Sequence, residues 1–456
     1  MSQINLYKIF IFLEIFYLTY QKLLFVNAQF RHGARSSLYI IDKKNRDIFG
    51  NFWEKRGLLT PKGKLQTFLN GVKHRERYSS FLNNYYNEDE IKAYSTDSYR
   101  AISSLECYLN GLYHHEEINE NIIKDGGVVY PPGDTPPILE KKLKLLGSNA
   151  IPKDNHIIPI NIFQKSEHDF VLHEPGKISD CQVIADTREK NVINHKLNDL
   201  SEKFREKYEN KLNKYFTLNN ITINSEFNYS FYQLNLLCDT LYADYIDGKN
   251  LTNLKQLINF DELYNDCKNI LSIIQSDYVS GDKDVVIMSQ SKPIRKLIKW
   301  MDQRIDYDKK GLSDKIISGA PRYTIWSGHD SSISTFEMFM KYTFNTKWIF
   351  PSFASTILFE LHKIEDKNIY EIKYFVNDEL LLTINYDDFK NIVKETIWSD
   401  ERIEQFCHFS IIKVEKINSI MKKYNRIIFV LILLLISSIA FNIYNYLKTS
   451  KKQKNN

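Results

Sequence analysis

The sequence predicts an α/β fold: a doubly wound, mostly parallel sheet, a largely helical cap inserted into it, and one C-terminal transmembrane helix. Apolar runs that suit buried strands alternate with helical patterns, which is typical of a parallel sheet covered by helices. Residues 115–255 interrupt this alternation with a segment that is richer in proline early and in charged helical pattern later. We therefore predict an α/β core at 22–114 and 256–410, with the cap at 115–255 between its halves.

The composition disfavours two classes of protein. The chain has 456 residues, of which 43% are hydrophobic and 26% are charged, so it can bury an ordinary core and is not a disordered chain. It carries 61 basic and 56 acidic residues, a net charge of +5. A protein that binds nucleic acid normally shows a strongly basic face. We expect no nucleic-acid partner.

The N-terminus resembles a secretory signal peptide. Lys8 precedes an apolar run from Ile9 to Tyr20, which has the length of a signal-peptide core and is short for a membrane span. Glu14 in this run costs roughly 2.5–3.5 kcal/mol on an insertion scale. We predict a signal peptide at 1–21, because cleavage further along would remove the first strand of the core.

The C-terminal region contains the predicted membrane span. Residues 427–447 include no charged side chain, and at about 1.5 Å per residue they can cross a hydrocarbon core of about 30 Å. Residues 448–456 then form a basic tail. With the signal peptide, this arrangement predicts a single-pass type I membrane protein whose large domain faces a lumen or the cell exterior.

The first strand and the first helix can be placed from local patterns. Leu23–Phe30 is a buried strand that ends in the polar turn Arg31-His32-Gly33. Thr60 offers an N-cap and Pro61 suits the first helical position, so a helix is expected from there to about Tyr78.

Three further strands complete the expected core. Ile91–Ser95 is the second strand, and a helix that is capped by Thr96 or Asp97 follows it through Cys107. Asp284–Met288 and Arg322–Trp326 are also predicted as strands. Because ligands of such sheets bind at the carboxyl ends of the strands, the residues just after each strand are the candidates for chemistry.

The turn after the first strand suits a phosphate ligand. Gly33 permits a sharp turn that presents His32 between Arg31 and Arg35. Guanidinium groups bind phosphate oxygens with two hydrogen bonds and stay charged at any working pH. Taken alone, five residues could equally form an exposed basic turn.

Two other strand ends carry matching residues. Arg100 lies in the first turn of its helix, where a cation opposes the helix dipole unless an anion binds there; a surface pair with Asp97 is the alternative. His329 and Asp330 follow the strand at Arg322–Trp326. Asp330 could be a plain N-cap, or an acid that protonates a leaving oxygen.

In these motifs the chain resembles the histidine acid phosphatases, the branch of the histidine phosphatase superfamily that includes lysosomal and prostatic acid phosphatases. Arg31-His32-Gly33-Ala34-Arg35 is similar to the start of the family's RHGxRxP, with Ser37 in place of the proline. The remaining similarities run in order along the chain. Residues 57–63 are similar to G-x-L-T-P-x-G and residues 95–100 to STDxxR, while His329-Asp330 is similar to the HD motif and residues 351–355 to P-x-x-A-S.

The resemblance implies a role for each residue of the site. His32 becomes the nucleophile that forms a phosphohistidine, and Asp330 becomes the proton donor. Arg31, Arg35, Arg100 and His329 bind the phosphoryl oxygens. No metal or cofactor is implied, because the guanidiniums neutralise the phosphate charge. Asp330 is expected in its acid form, so activity should be highest in acid.

The five cysteines have no CxxC spacing, so a zinc site is not expected. In an oxidising compartment two disulfides and one thiol are the default count. The resemblance implies a Cys181–Cys407 bridge. Cys238–Cys267 is the candidate for the second pair, with Cys107 as a buried thiol, and the pairing of these three cysteines stays open. Ser37 in place of proline is expected to loosen its loop.

Three sequons, at Asn220, Asn228 and Asn250, suggest a glycosylated surface. The expected location is a lysosomal or other endomembrane lumen, or the cell surface. Lys452 and Lys454 also resemble a dilysine retrieval signal of the early secretory pathway, although a plain basic flank fits them as well.

These expectations predict a membrane-anchored acid phosphatase that acts on small phosphomonoesters. Its rivals are an inositol-phosphate or lysophosphatidate phosphatase with the same pocket, and a glycoprotein that binds a phosphorylated ligand without turnover. The family resemblance also allows a homodimer.

Overall fold

The computed structural model describes residues 21–41, 44–113, 158–163, 181–194, 196–221, 227 and 229–407, with residues 141 and 144. The predicted signal peptide up to residue 20, the predicted membrane helix at 427–447, the tail at 448–456 and Asn228 lie outside these residues. Among the helices that are described, none combines the length and apolar character needed to cross a bilayer.

A seven-stranded sheet forms the centre of the described chain. Its strands stand in the order β3-β2-β4-β1-β5-β6-β7. The strands are β1 (Gln21–Arg31), β2 (Ile91–Thr96), β3 (Asn161–Phe163), β4 (Tyr323–Gly328), β5 (Thr356–Ile364), β6 (Ile369–Val376) and β7 (Glu379–Asn385).

The sheet is mixed, so the prediction of a mostly parallel sheet is wrong. Strands β3, β2, β4 and β1 pair in parallel, whereas β1–β5, β5–β6 and β6–β7 are antiparallel. Short turns join the last three strands. Between β6 and β7, Asn377 and Asp378 both have positive φ, which is typical of the tight turns that connect antiparallel neighbours.

Residues 400–407 are helical, and ten further α-helices lie in the described part of the chain. They are α1 (Pro61–Arg77), α2 (Tyr99–Leu112), α3 (Gln182–Asn194), α4 (Leu197–Leu218), α5 (Phe231–Asp247), α6 (Thr252–Leu257), α7 (Phe260–Ile273), α8 (Lys283–Lys309), α9 (Asp330–Phe344) and α10 (Tyr386–Thr396). A π-helical turn, Ile274–Val279, follows α7.

Helices cover both faces of β1. Side chains alternate between the faces of a strand, so neighbouring positions meet different helices. The Phe30 ring stacks on Tyr108 of α2, with ring centroids 5.2 Å apart. The Phe25 ring meets Trp300 of α8 on the opposite face, with centroids 6.3 Å apart. The predicted strand at Leu23–Phe30 therefore forms the middle of a three-layer core.

The two predicted helix starts differ in accuracy. Helix α1 begins at Pro61, and the Thr60 side chain accepts a hydrogen bond from the Gly63 backbone N–H, as expected for an N-cap. The cap of α2 is Ser98, and its side chain makes no capping bond, so the assignment of this cap to Thr96 or Asp97 is wrong. Thr96 is instead the last residue of β2, and its hydroxyl is used elsewhere.

The predicted strand at Asp284–Met288 is a helix. Asp282 caps α8 by accepting a hydrogen bond at 2.9 Å from the Val285 backbone N–H. The apolar run buries every side chain from Val285 to Met288 because this turn of the helix lies in the interior. A short, continuous apolar run has no periodicity that separates a buried helix from a buried strand.

Helices α4 to α7 pack around a hydrophobic cluster that includes Leu212, Leu234 and Leu263. Cys238 on α5 and Cys267 on α7 are joined by a disulfide bond, and both are buried. Cys107 is a free thiol. Cys107 is only partly buried, whereas a buried thiol was expected.

The described residues form two compact units. The larger one contains the whole sheet and all candidate site residues. The smaller one includes residues 179–186 and the described residues from Ser399 onward, and it holds the Cys181–Cys407 disulfide. This pairing is the one implied by the family resemblance.

A buried carboxyl group on α9 makes the stability depend on pH. Glu337 is fully buried. Its Oε2 accepts a hydrogen bond at 2.7 Å from the Ile349 backbone N–H, whereas Oε1 has no partner among the described residues. Burial raises the pKa of Glu337 from 4.5 to about 8. The folded state therefore holds a proton that the unfolded chain releases, and stability falls as pH rises from about 4.5 through 8.

We expect Glu337→Gln to weaken this loss of stability above pH 6.5. Below that value buried histidines act in the opposite direction, since burial lowers the pKa of His74 from 6.5 to about 3. Between about pH 6.5 and 8 one group with this shift changes the unfolding free energy by about 1–2 kcal/mol. Urea unfolding at about pH 6.5 and at about pH 8 measures this change in the unfolding free energy. The exposed Glu365→Gln should behave as wild type, and equal slopes for Glu337→Gln and wild type would contradict the assignment.

Candidate active site

Three chain segments meet at the carboxyl edge of the parallel strands. In the sheet register Arg31 of β1 lies beside Gly328 of β4, and Ser95 of β2 lies beside Ser327 of β4. The residues that follow these strand ends must therefore be neighbours. The His32 and His329 ring centroids are 5.5 Å apart.

His32 is held in one orientation with one tautomer. Its backbone N–H donates to the Gly328 carbonyl at 3.0 Å. Its Nδ1 lies 2.8 Å from the Gly33 carbonyl oxygen. A carbonyl can only accept, so Nδ1 carries the proton and Nε2 keeps its lone pair. That lone pair accepts a hydrogen bond at 3.0 Å from Nε of Arg100.

The His32 imidazole is neutral. Burial lowers the pKa of His32 well below 6.5, and the positive charges of Arg100 and Arg31 lower it further. Burial is therefore the larger cause, ahead of the cationic surroundings that the sequence suggested. The ring keeps an unprotonated Nε2 in acid, which is what a nucleophile requires.

A close backbone contact explains the glycine after the histidine. A Cβ on Gly33 would overlap the carbonyl oxygen of Gly63, and a Cβ on Gly63 would overlap Ala34. Gly33 is thus required by close approach rather than by a positive φ. The two glycines belong to motifs that are about 30 residues apart, and their contact fixes the loop that carries His32 against the start of α1.

Arg31 is buried between the loop at Pro351 and the start of α9. One Nη donates to the Pro351 carbonyl at 2.7 Å, and the other lies 2.7 Å from Oδ2 of Asp330. The guanidinium also lies over the Phe353 ring, 4.3 Å from its centroid. Two residues of the P-x-x-A-S segment, Pro351 and Phe353, therefore contact the Arg31 guanidinium and hold it in place.

Arg35 pairs with a residue that the sequence did not suggest. Its two Nη groups donate to both carboxylate oxygens of Asp239 on α5, at 3.1 and 2.8 Å. The Nε–H groups of Arg35 and Arg31 are buried and have no partner among the described residues. Buried N–H donors of charged side chains are costly to leave unpaired, so both groups are suited to bind an anion.

Arg100 joins the two histidines. Besides His32, it donates from Nη2 to Nδ1 of His329 at 3.2 Å. Nδ1 of His329 is therefore an acceptor, and its Nε2 donates to the Thr96 hydroxyl at 3.1 Å. His329 can donate to a phosphoryl oxygen if its Nε2–H exchanges Thr96 for that oxygen or if Nδ1 takes up a proton.

Asp330 is ionised in the free site, which corrects the expectation of an acid form. Burial raises the pKa of Asp330, but the charges of Arg31 and Arg35 outweigh it, so the pKa lies below its usual range. The helix N-cap is His329, and Asp330 is the first residue of α9. The plain N-cap alternative for Asp330 is therefore wrong. A bound phosphate dianion would compete for Arg31 and favour protonation of Asp330.

Ser37, which stands where the family pattern has proline, is fully buried. Its hydroxyl lies 2.9 Å from the Thr240 hydroxyl on α5, and it accepts from the Tyr39 backbone N–H at 2.9 Å. Two successive residues of α5, Asp239 and Thr240, thus contact the loop that carries the histidine.

Local sequence patterns could not have revealed Asp239. It lies 204 residues from Arg35, inside a helix that shows no motif. Thr96 and Phe353 were within the quoted motifs, but their contacts with His329 and Arg31 appear only in three dimensions.

The sequon residues Asn220 and Asn250 are exposed. The described residues contain no group of three or more His, Cys, Asp or Glu side chains that could hold a metal ion.

The chain is similar in sequence to a known protein family and to several of its relatives. The model of the family described as histidine phosphatase superfamily (branch 2) matches residues 22–377. The lysosomal acid phosphatase of Xenopus laevis is 38% identical over 98 residues, 21% of this chain and 22% of that protein. The venom acid phosphatase Acph-1 of Apis mellifera is 34% identical over 102 residues, 21% of this chain and 25% of that protein. The matched segments therefore span about a quarter of these relatives.

Among solved structures, the phytase of Citrobacter braakii matches with a TM-score of 0.51 and 12% identity. The match covers 83% of this chain and 98% of that one. At this identity the similarity concerns the fold, a central sheet flanked by helices.

Proposed function

The chain belongs to branch 2 of the histidine phosphatase superfamily, and from this premise we propose that it is an acid phosphatase that hydrolyses phosphomonoesters through a phosphohistidine. One observation carries the proposal: the unprotonated Nε2 of a neutral, buried His32 accepts a hydrogen bond from the Arg100 guanidinium, beside Arg31 and Arg35. The activity named for the acid phosphatase relatives supports the same reaction.

In the first step of the proposed reaction, Nε2 of His32 attacks the phosphorus of the ester. An N–P bond forms, the ester P–O bond breaks, and Asp330 gives its proton to the leaving oxygen. Arg100 exchanges its bond with Nε2 for one with a phosphoryl oxygen. The Nε–H groups of Arg31 and Arg35, which lack partners in the free site, supply two further donors.

The second step releases phosphate. The Asp330 carboxylate takes a proton from water, and the resulting oxygen attacks phosphorus as the N–P bond breaks. His32 returns to its neutral form, and Asp330 is again protonated. The three guanidiniums neutralise the phosphate charge in both steps.

Acid should favour this cycle because its two proton requirements are met there. His32 stays neutral in acid, since its pKa is lowered by burial and by Arg100. Asp330 must carry a proton when the ester is bound, and rising pH removes that proton. We therefore expect activity to fall as pH rises from acid to neutral.

An aryl phosphate assay across pH, with and without a metal chelator, tests the proposal. We expect turnover with an optimum below neutral pH that the chelator leaves unchanged. Absence of turnover would favour a glycoprotein that binds a phosphorylated ligand. An inositol phosphate or a lysophosphatidate that is hydrolysed far faster than aryl and alkyl phosphates would favour the other enzyme alternative.

We also propose that the chain is a glycosylated type I membrane protein of the lysosome or another secretory compartment. The names of the lysosomal relatives, the apolar run at 427–447 and the exposed sequons at Asn220 and Asn250 support this. Extraction of the protein into carbonate without detergent would contradict the membrane anchor. An unchanged gel mobility after glycosidase treatment would contradict glycosylation.

We further propose, first, that the chain divides into an α/β core and a helical cap at 115–255 and, second, that it forms a homodimer. Helices α4, α5 and α6, which lie between β3 and α7 in the chain, support the first. Limited proteolysis that cuts within 115–255 and leaves the core intact would test it. Light scattering of the purified protein tests the second, and a monomer mass would contradict it.

A further inference from the structure

Asp239 is the carboxylate that contacts the proposed phosphate site from the inserted helices. It reaches Arg35 with both of its oxygens, and the side chains of Asp239 and Arg35 are only 14% and 4% exposed. A paired arrangement of two N–H groups on two oxygens fixes the plane of a guanidinium as well as its position.

Helix α5 is itself fixed against the site at two further points. Thr240 shares a hydrogen bond with Ser37 at 2.9 Å. The Tyr242 ring stacks on Phe353 with centroids 5.1 Å apart, and Phe353 lies under Arg31. Asp239 therefore extends from an element whose position relative to the catalytic loop is well determined.

The pairing uses only one edge of the Arg35 guanidinium. Asp239 takes both Nη groups, and the Ser36 carbonyl also accepts from Nη1 at 3.3 Å. Nε–H remains buried without a partner in the described part of the chain. A phosphoryl group can therefore bind this remaining donor while the pair with Asp239 stays intact.

We propose that Asp239 is a positioning residue of the phosphate site: it holds Arg35 by both Nη groups so that Nε–H is presented to the phosphoryl group. This inference rests on the proposed phosphatase function and deepens it. Arg35 would act on the substrate, and Asp239 would act only through Arg35.

Removal of Asp239 should then impair phosphate binding as well as turnover. A misplacement of about 1 Å of a group that contacts the transition state can cost about 100-fold in rate. We expect Asp239→Ala to lower kcat/KM for an aryl phosphate by about 10- to 100-fold. The inhibition constant of inorganic phosphate should rise as well, because the product uses the same donor.

A double-mutant cycle separates positioning from a general structural effect. If Asp239 acts through Arg35, the Arg35→Ala/Asp239→Ala protein should be no less active than Arg35→Ala alone. Asp247→Ala is the matched control, because Asp247 lies on the same helix with the same 14% side-chain exposure and pairs with Lys249 instead. It should keep nearly full activity.

The outcomes are distinct. Additive losses in the double variant, tighter phosphate inhibition in Asp239→Ala, or activity equal to that of Asp247→Ala would overturn the inference. Thermal unfolding of each variant identifies a protein that has lost its fold, and Asp239→Asn, which keeps the side-chain size and one acceptor, then replaces Asp239→Ala. A wild-type chain that neither hydrolyses the ester nor binds inorganic phosphate would instead contradict the proposed function itself.

Discussion

Replacement of His32 by asparagine should abolish phosphatase activity, with kcat/KM falling by more than about 10⁴-fold at about pH 5. The amide has no basic lone pair with which to attack phosphorus. Its side chain can still accept the hydrogen bond that Arg100 donates to Nε2 in the wild type. Substrate binding should therefore be affected far less than turnover, and a phosphate-binding measurement on the variant would show this.

His362→Asn provides the control, since His362 pairs with Glu360 in β5, away from the site, and should leave activity intact. A second measurement follows the intermediate directly. Labelled phosphoryl groups should be trapped on wild-type protein quenched in base and should be missing from His32→Asn. Comparable hydrolysis by His32→Asn and wild type would refute the assignment of the nucleophile.

Asp330→Asn should slow hydrolysis by an amount that depends on the leaving group. Loss of general-acid assistance typically costs about 10²–10⁴-fold. An alkyl phosphate, whose leaving oxygen needs a proton, should lose the full amount. A phosphate ester of an acidic phenol should lose less, because that phenolate leaves without a proton.

The decisive measurement is the ratio of the hydrolysis rates of the alkyl phosphate and the phosphate ester of the acidic phenol. It should change in Asp330→Asn but not in Asp366→Asn, a neutralisation at an exposed turn between β5 and β6. An equal loss for both esters would assign Asp330 a purely electrostatic role through its pair with Arg31.

Short-range signals in the sequence correctly predicted the elements that carry the site. The strand before His32, the Thr60 cap and the strand before His329 each depend on neighbours within a few residues. Arg100 could be singled out because a cation in the first turn of a helix is unfavourable without an anion. In each case the local chain contains the physical reason for its own structure.

The errors arose where distant parts of the chain decide the outcome. The run Val285 to Met288 is buried on all sides in α8, so its apolar residues show no helical period. The pairing of the antiparallel strands β6 and β7 depends on which edge of the sheet the other strands leave unpaired. Asp239 approaches Arg35 only after α5 has packed against the loop that carries His32. The pKa of Asp330 is low because the charges of Arg31 and Arg35 outweigh the effect of burial.

The position of β4 has a consequence for biosynthesis. This strand lies between β1 and β2 and is the neighbour of both, although it comes from residues 323–328 and they come from the first hundred residues. A nascent chain that has left the ribosome only as far as α8 contains His32 and Arg100 but lacks the strand that spaces them. The proposed site can therefore form only after β4 has been synthesised and has paired with both strands.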